Sequence, residues 1–411
     1  MGCIVMKFGG TSVGTTEKIL NVAKRILDEK KRGHEVVVVV SAMGKTTDEL
    51  LSLANEITHE PSKREMDMLL STGEQITISL LSLAIMQLGG EAISYTGWQA
   101  GILTESVHRN ARIIDIDRTK VERQLKEGKV VIVAGFQGVD QYGEITTLGR
   151  GGSDTTAVAL ASALSAERCD IYTDVDGIYT SDPRSVKTAR KLSEIAYDEM
   201  LELAHLGAGV LHPRSVEFAK NYDVPLVVRS SMSAEEGTMI KEEVQMENNL
   251  IVRGVAFESD IVRITVTYEV PFNGSLAKIF TTLANHHIDV DIIVQSIMDG
   301  ITPSVSFSIK KEDFAETIRI LNSEKEVLGY TDADFEVGLS KVSIVGSGMV
   351  SNPGVAARMF DRLRQEGIPI KMVSTSEIKV SVVVPQSEML QAANALHDEY
   401  GLSPEDAEVS L

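Results

Sequence analysis

An α/β layered domain with a largely parallel sheet, followed by two ferredoxin-like α+β units, is the architecture the sequence predicts. Three observations carry it. Through residue 235 short β-branched apolar runs alternate with helical patterns; beyond residue 250 one pattern recurs about 80 positions on; and a polar stretch of little periodicity separates the two regions. A run apolar at every position, such as Val36–Val40, is buried on both faces, as in a parallel sheet covered by crossover helices.

The elements follow in order. Cys3 to Met6 is a buried strand, and Thr16 to Lys31 places Ile19, Val22, Ala23, Ile26 and Leu27 at helical spacing. EVVVVVSAM is the next strand. The alternation continues through a helix from Met66 to Leu88, a strand from Val130 to Ala134, a helix from Thr155 to Leu164, and strands Cys169–Thr173 and Pro225–Arg229. This is one layered domain, residues 1–235. IKEEVQMENN is polar and charged, and 236–249 reads as a linker.

Two repeat copies follow, 250–339 and 340–411. Phe280 in SLAKIFTTLANHHIDVDIIVQS matches Phe360 in GVAARMFDRLRQEGIPIKMVSTS, and Ile264, Gly274, Leu283, Ile288 and Ser296 meet Ile344, Gly354, Leu363, Ile368 and Ser376. Each copy reads strand, glycine turn, helix, strand, hairpin, strand, helix and a last strand, a split βαβ unit able to pair edge to edge with the other.

Composition narrows the function. A net charge of -19 excludes general binding to nucleic acid or an anionic membrane, which needs a basic face. An acidic small substrate remains open, because a few local Arg and Lys residues decide that. The two cysteines, Cys3 and Cys169, lack metal or redox spacing, as expected of thiols in a reducing compartment. Lys7 and two glycines interrupt the only apolar stretch near the start, so no signal peptide is read. No apolar run approaches the roughly 20 residues that span a bilayer. A soluble cytoplasmic protein is expected.

Chemistry concentrates at strand ends. Lys7-Phe8-Gly9-Gly10 stands where a parallel strand gives way to a helix, the edge at which open α/β sheets bind ligands. Glycines there let backbone N–H groups approach an anion, and a lysine adds a point charge for phosphate. A tight turn with a solvated lysine would carry the same residues. A second loop, LGRGGSDTT at 148–156, sets an arginine, three glycines, Ser153 and Asp154 at a helix start, as an anion-binding nest does. Asp154 suits either a helix cap or the phosphate-transfer machinery. Neither the P-loop, nor the protein-kinase set, nor the dinucleotide fingerprint occurs. SAMGKTTDEL supplies Ser41 and Thr47, STGEQ supplies Glu74, and TDVDGIYTSDPR offers a strand end suited to a ribose and base.

Together KFGGTSV, SAMGKTTDEL, STGEQ, GFQG, GRGGSDTTA, TDVDGIYTSDPR and LGAGVLHPR closely resemble the aspartate kinases of the amino-acid kinase family, in that family's order. The repeat half resembles their paired ACT domains, and the nearest likeness is to lysine-sensitive enzymes of Bacillus type. The resemblance implies ATP-dependent phosphorylation of the side-chain carboxylate of L-aspartate, with Mg²⁺, at the head of lysine, threonine and methionine synthesis. It implies Lys7 and Asp154 as catalytic residues. Thr47, Glu74, Arg150, Gly151, Gly152 and Ser153 would hold aspartate. Lys7, Phe8, Gly9, Gly10, Ser41, Thr173, Asp174, Tyr179, Thr180, Asp182, Pro183 and Arg184 would hold the nucleotide. No residue is assigned as a metal ligand, and His205 and His212 read as parts of a structural turn.

Feedback inhibition by lysine is implied, with Val294, Gln295, Ser296, Met349, Val350 and Ser351 lining an effector site where the two repeat copies face each other. Threonine is a second candidate effector, although Pro271 stands near the place where many relatives carry an aspartate. Gly209 stands where many carry a nucleotide-contacting lysine. A homodimer is expected, or a hetero-oligomer with a regulatory-only subunit starting near Met246. The rival readings are another amino-acid or carbamate kinase of the same fold, or a non-catalytic amino-acid sensor.

Overall fold

The computed structural model describes residues 2–206, 210–242, 250–268, 275–298 and 302–404. The chain forms two compact units. The first comprises Met1–Tyr179, Lys191–His205 and Gly209–Gln245, and the second Thr180–Arg190, Leu206–Ala208 and Met246–Leu411.

In the first unit an eight-stranded sheet runs Glu194–Ala196, Thr238–Lys241, Leu226–Ser230, Arg168–Thr173, Cys3–Phe8, Glu35–Val40, Val130–Ala134, Ala92–Tyr95. Neighbours are parallel except Leu226–Ser230 with Thr238–Lys241. The central strand Cys3–Phe8 lies between Arg168–Thr173 and Glu35–Val40, with Lys7 opposite Val39 and Ile171. Alternation splits its side chains between the two faces. Ile4, Met6 and Phe8 join Ile19, Val22 and Ile26 of helix Thr16–Lys31 and Ile78, Leu81 and Ile85 of helix Thr72–Gln87 in one apolar cluster. Lys7 thereby projects from the opposite face and meets helix Gly152–Ala163. A smaller sheet, Ile113–Ile116, Ile102–Thr104, Gln137–Val139, Ile145–Thr147, is an addition to the elements read from the sequence.

Several expectations need correction. The helix expected over Met66–Leu88 is two, Lys63–Leu70 and Thr72–Gln87. Between them the buried Ser71 carbonyl accepts from Gln137 Nε2 at 2.8 Å and Gln75 Nε2 at 3.2 Å. Lys63–Gln87 holds an 18-residue stretch apolar enough to cross a membrane, but 56% of that stretch is buried inside the protein. Part of the expected linker 236–249 is the strand Thr238–Lys241, whose Thr238 hydroxyl donates to Leu192 O at 2.6 Å and accepts from Ile178 N at 2.8 Å. Met246 and Gly209 lie outside the described residues, as does Pro271.

Thr180–Arg190, expected within 1–235, folds with the second unit. Val255 N donates to Thr180 O at 2.7 Å, and Val186 is buried in a cluster with Val252, Val255, Leu396 and Tyr400. An apolar valine needs such partners, and this segment finds them there.

The second unit holds one six-stranded sheet, Ile293–Met298, Thr302–Lys310, Gly254–Thr267, Asp332–Val345, Lys379–Pro385, Met372–Thr375. Two long strands run through both repeat copies. Ile261–Thr267 pairs with Lys310–Ser304 in the first copy, while Gly254–Glu258 pairs with Val345–Lys341 in the second. The second copy's last strand, expected after its helix, is supplied instead by chain preceding the first copy. The two cores follow suit: Val252 and Val255 pack with Val342, Met359 and Leu363, whereas Val262 and Ile264 pack with Ile279, Leu283 and Phe307. The division at 339/340 therefore misplaces residues 250–258, because an unpaired edge next to Val342 and Ile344 would leave a ladder of backbone groups unmet.

Candidate active site

The carboxyl end of Cys3–Phe8 is locked to the neighbouring loop. Ser41 N donates to Phe8 O at 3.1 Å and Gly44 N to Gly10 O at 3.0 Å. A Cβ on Gly10 would stand 2.8 Å from Ala42 O, so only glycine allows this approach. Gly9 lies beside the Lys7 ammonium, with an added Cβ 3.5 Å from Nζ. The Phe8 ring is fully buried and stacked on Tyr172 at 4.6 Å, which leaves its backbone as the part open to a ligand.

The second loop enters helix Gly152–Ala163 through left-handed glycines, Gly149 at φ 78° and Gly151 at φ 68°. A side chain at Gly151 would meet His212 at 2.3 Å, and one at Gly152 would meet the Phe136 ring at 2.9 Å. Gly135 is equally committed, 2.7 Å from Ser153 Oγ by the same measure. Phe136 adopts φ 69°, a strained value for a bulky residue, and its N–H donates to Thr156 Oγ1 at 3.1 Å. The helix begins three residues before the expected Thr155, so Ser153 and Asp154 sit in its first turn with the free N–H groups. Arg150 is exposed and pairs with none of the described residues.

The two loops meet where Lys7 Nζ lies 2.5 Å from Asp154 Oδ1, with side chains only 11% and 14% exposed. The approach is an ion pair rather than an aligned hydrogen bond, since Asp154 Oδ1 accepts none among the described residues. His212, whose ring lies against Gly151, caps helix Pro213–Asn221 by accepting from Arg214 N. Burial lowers its pKa, with the Asp154 carboxylate opposing that shift. Cys169, buried in the sheet, has its thiol raised by desolvation.

Glu74 is 3% exposed in the first turn of Thr72–Gln87. Oε1 accepts from Ala42 N at 3.1 Å, while the buried Oε2 has no partner among the described residues. Burial pushes this carboxyl up to about 8, against hydrogen bonds from its own amide and Ala42. A buried oxygen without a donor fits a cationic ligand group. Thr47 is half-buried in the first turn of helix Thr46–Ile57, next to Ser41's loop.

Thr173 ends the strand beside Cys3–Phe8, its hydroxyl donating to Asp174 Oδ1 at 3.0 Å. Tyr179 OH donates to Asp176 Oδ1 at 3.0 Å, and Asp176 pairs with Lys191 at 3.3 Å. Thr180, Asp182, Pro183 and Arg184 belong to the second unit. Thr180 is fully buried, its hydroxyl 2.9 Å from His397 Nε2 and accepting from Arg190 N at 2.9 Å. Arg184 Nε donates to Asp182 Oδ1 at 3.0 Å.

The effector triplets are not brought together within one chain. Val294, Gln295 and Ser296 are exposed on the edge strand Ile293–Met298, and Val294 lies level with Asp334 through the pairs Val294–Ser306, Thr265–Ser306 and Thr265–Asp334. Met349, Val350 and Ser351 lie beyond Val345, the far end of that long strand, roughly 35 Å away at 3.3 Å per residue. Functional-site candidates missed from the sequence include Asp67, His108 and Arg214, whose polar chemistry shows only in their partners. Phe136 lay within the quoted GFQG signal. Among the described residues no group of three His, Cys, Asp or Glu could hold a metal ion.

A nest of backbone donors at a helix start, an ion pair beside it and an orphan carboxylate oxygen thus stand at the carboxyl ends of the sheet's strands. The amino acid kinase family model matches residues 2–230, and an ACT domain model matches 342–400. The chain is 66% identical over 404 residues to the aspartokinase of Bacillus sp. (strain MGA3), covering 98% of each. It is 63% identical over 409 residues to that of Geobacillus stearothermophilus, covering 100% of each. Among solved structures it resembles E. coli aspartokinase III, at 28% identity and TM-score 0.79 in complex with aspartate and ADP, and at 27% and 0.78 with lysine and aspartate. Each match covers 97% of this chain and 99% of the other. The chain therefore belongs to the amino acid kinase family and, within it, to the aspartokinases.

Proposed function

We propose that the first unit transfers the γ-phosphoryl group of ATP to the side-chain carboxylate of L-aspartate, giving 4-phospho-L-aspartate. The Lys7–Asp154 pair, set between two glycine loops, carries this reading. The acceptor carboxylate is ionised at neutral pH and needs no general base. What it needs is alignment with an anionic donor and a way to spread the accumulated charge. Lys7 and the amides around Gly9, Gly10 and Gly152 supply positive potential. Asp154 offers a hard oxygen suited, with phosphate oxygens, to Mg²⁺, which when bound would neutralise phosphate charge. Glu74 Oε2 takes the substrate ammonium, and the unpaired Arg150 takes its α-carboxylate. The E. coli relative with aspartate and ADP supports this pairing of ligands.

The test is ADP release measured with aspartate, glutamate or no acceptor, with hydroxylamine trapping of the acyl phosphate. Release with aspartate alone is the expected result; equal release without acceptor would reduce the site to an ATPase, and none at all would favour an amino-acid sensor.

The second unit we assign to feedback control by lysine, with threonine as the second candidate and the lysine and threonine branches downstream, in a cytoplasmic enzyme. The roughly 35 Å between the effector triplets in one chain supports an effector site completed by another chain, hence a dimer or a hetero-oligomer with a regulatory-only subunit from Met246. Equilibrium dialysis that detects no lysine on the intact protein would remove this assignment, and mass analysis of the natively purified enzyme resolves the subunits.

A further inference from the structure

Asp67 is a buried acidic side chain that the proposed chemistry leaves unused. It is fully buried in helix Lys63–Leu70, and all its acceptor capacity serves two loops. Thr147 Oγ1 donates to its Oδ1 at 2.6 Å, Arg109 N lies 3.2 and 3.1 Å from its two oxygens, and His108 Nδ1 lies 2.9 Å from Oδ2. A carboxylate is kept in such a place only when every oxygen is met.

What those donors have in common is their position. Thr147 stands three residues before Arg150, at the end of the strand Ile145–Thr147 that launches the glycine loop. Arg109 holds a left-handed φ of 75°, a strained value that its bond to Asp67 stabilises. Its carbonyl then packs on Gly149, where a Cβ would sit 3.0 Å from it. Ala111 N donates to Thr147 O at 2.9 Å, and Arg214 spans the far side, donating to Leu148 O and Ala111 O at 2.7 Å each. Both flanks of the loop are pinned, while the Arg150 side chain stays unpaired.

We infer that Asp67 is a positioning residue for the acceptor substrate: through Thr147 and Arg109 it fixes the loop that aims Arg150 at the α-carboxylate. The inference rests on the proposed role of Arg150. Misplacing a clamp by a fraction of an ångström weakens binding without touching the phosphoryl-transfer groups.

The test is steady-state kinetics of Asp67→Asn, which keeps shape and loses charge, and of Thr147→Val, which removes one bond, beside Arg150→Ala. For Asp67→Asn the KM for aspartate is expected to rise about tenfold, as when other supporting hydrogen bonds are removed, with kcat and the KM for ATP within about twofold. Thr147→Val should shift the same constant in the same direction, by less. A parental KM for aspartate in both folded variants, with Arg150→Ala impaired, overturns the inference and leaves the reading of Arg150 intact. Losses spread equally over kcat and both KM values would make Asp67 merely structural and also overturn it. If Arg150→Ala itself keeps the parental KM, the reading falls and the inference with it.

Discussion

Lys7 Nζ and Asp154 Oδ1 lie 2.5 Å apart, and this pair joins the central strand Cys3–Phe8 to a helix that begins at Gly152. Without ligand each neutralises the other, so neither charge stands bare in a pocket of a strongly acidic protein. In the proposed reaction Lys7 would exchange one carboxylate for phosphate oxygens at little cost in desolvation.

Lys7→Met should therefore lower kcat by on the order of a hundredfold or more, the scale for removing a preorganised charge stabiliser. The fold should survive, since the surrounding strand is held by Ile4, Met6 and Phe8. Rapid-quench turnover together with a thermal melt checks both halves; normal turnover would remove Lys7 from the chemistry.

Glu74 gives a pH signature. Its folded pKa of about 8 lies above the ordinary 4.5, so the native state favours the protonated form. The stability this lends is fully present below pH 4.5 and is lost as pH rises through 8. Glu74→Gln cannot ionise, so its melting temperature should gain on the parent's across that window, and saturating aspartate should narrow the gap. The same variant should raise the KM for aspartate by about a hundredfold, as when one member of a buried charge pair is removed. Parallel melting curves from pH 5 to 9 would contradict the assignment.

Gly151→Ala places a Cβ 2.3 Å from His212 at a φ of 68°. Strain of this kind costs about 1–3 kcal/mol. Urea unfolding should show that loss, and activity should fall further than stability because the anion nest moves with the backbone.

Thr180→Val tests the structural part that the buried Thr180 hydroxyl plays. Its hydroxyl serves Arg190 N and His397 Nε2 inside the second unit. Removing it leaves a buried donor unmet, for about 1–3 kcal/mol. A stability decrease in chemical denaturation is expected; an unchanged midpoint would mean the hydroxyl is dispensable there.

The sequence by itself determined the central strands, the helix Thr16–Lys31, the repeat and the two glycine loops. Each is written in local terms: apolar at every position for a doubly covered strand, period 3.6 for a half-buried helix, glycine where a side chain would block an anion. Only the tertiary structure decided the rest. Thr238–Lys241 is a strand because Leu192 and Ile178 satisfy Thr238, and Gly254–Glu258 completes the second repeat because an open edge waits beside Lys341–Val345. Thr180–Arg190 leaves the domain of its neighbours because Val186 finds its apolar partners elsewhere. Asp67 looks like an ordinary surface acid in the sequence, and Glu74 stands out there only through the STGEQ resemblance. Burial and the donors around them, contributed by residues distant along the chain, give each its surroundings and its partners.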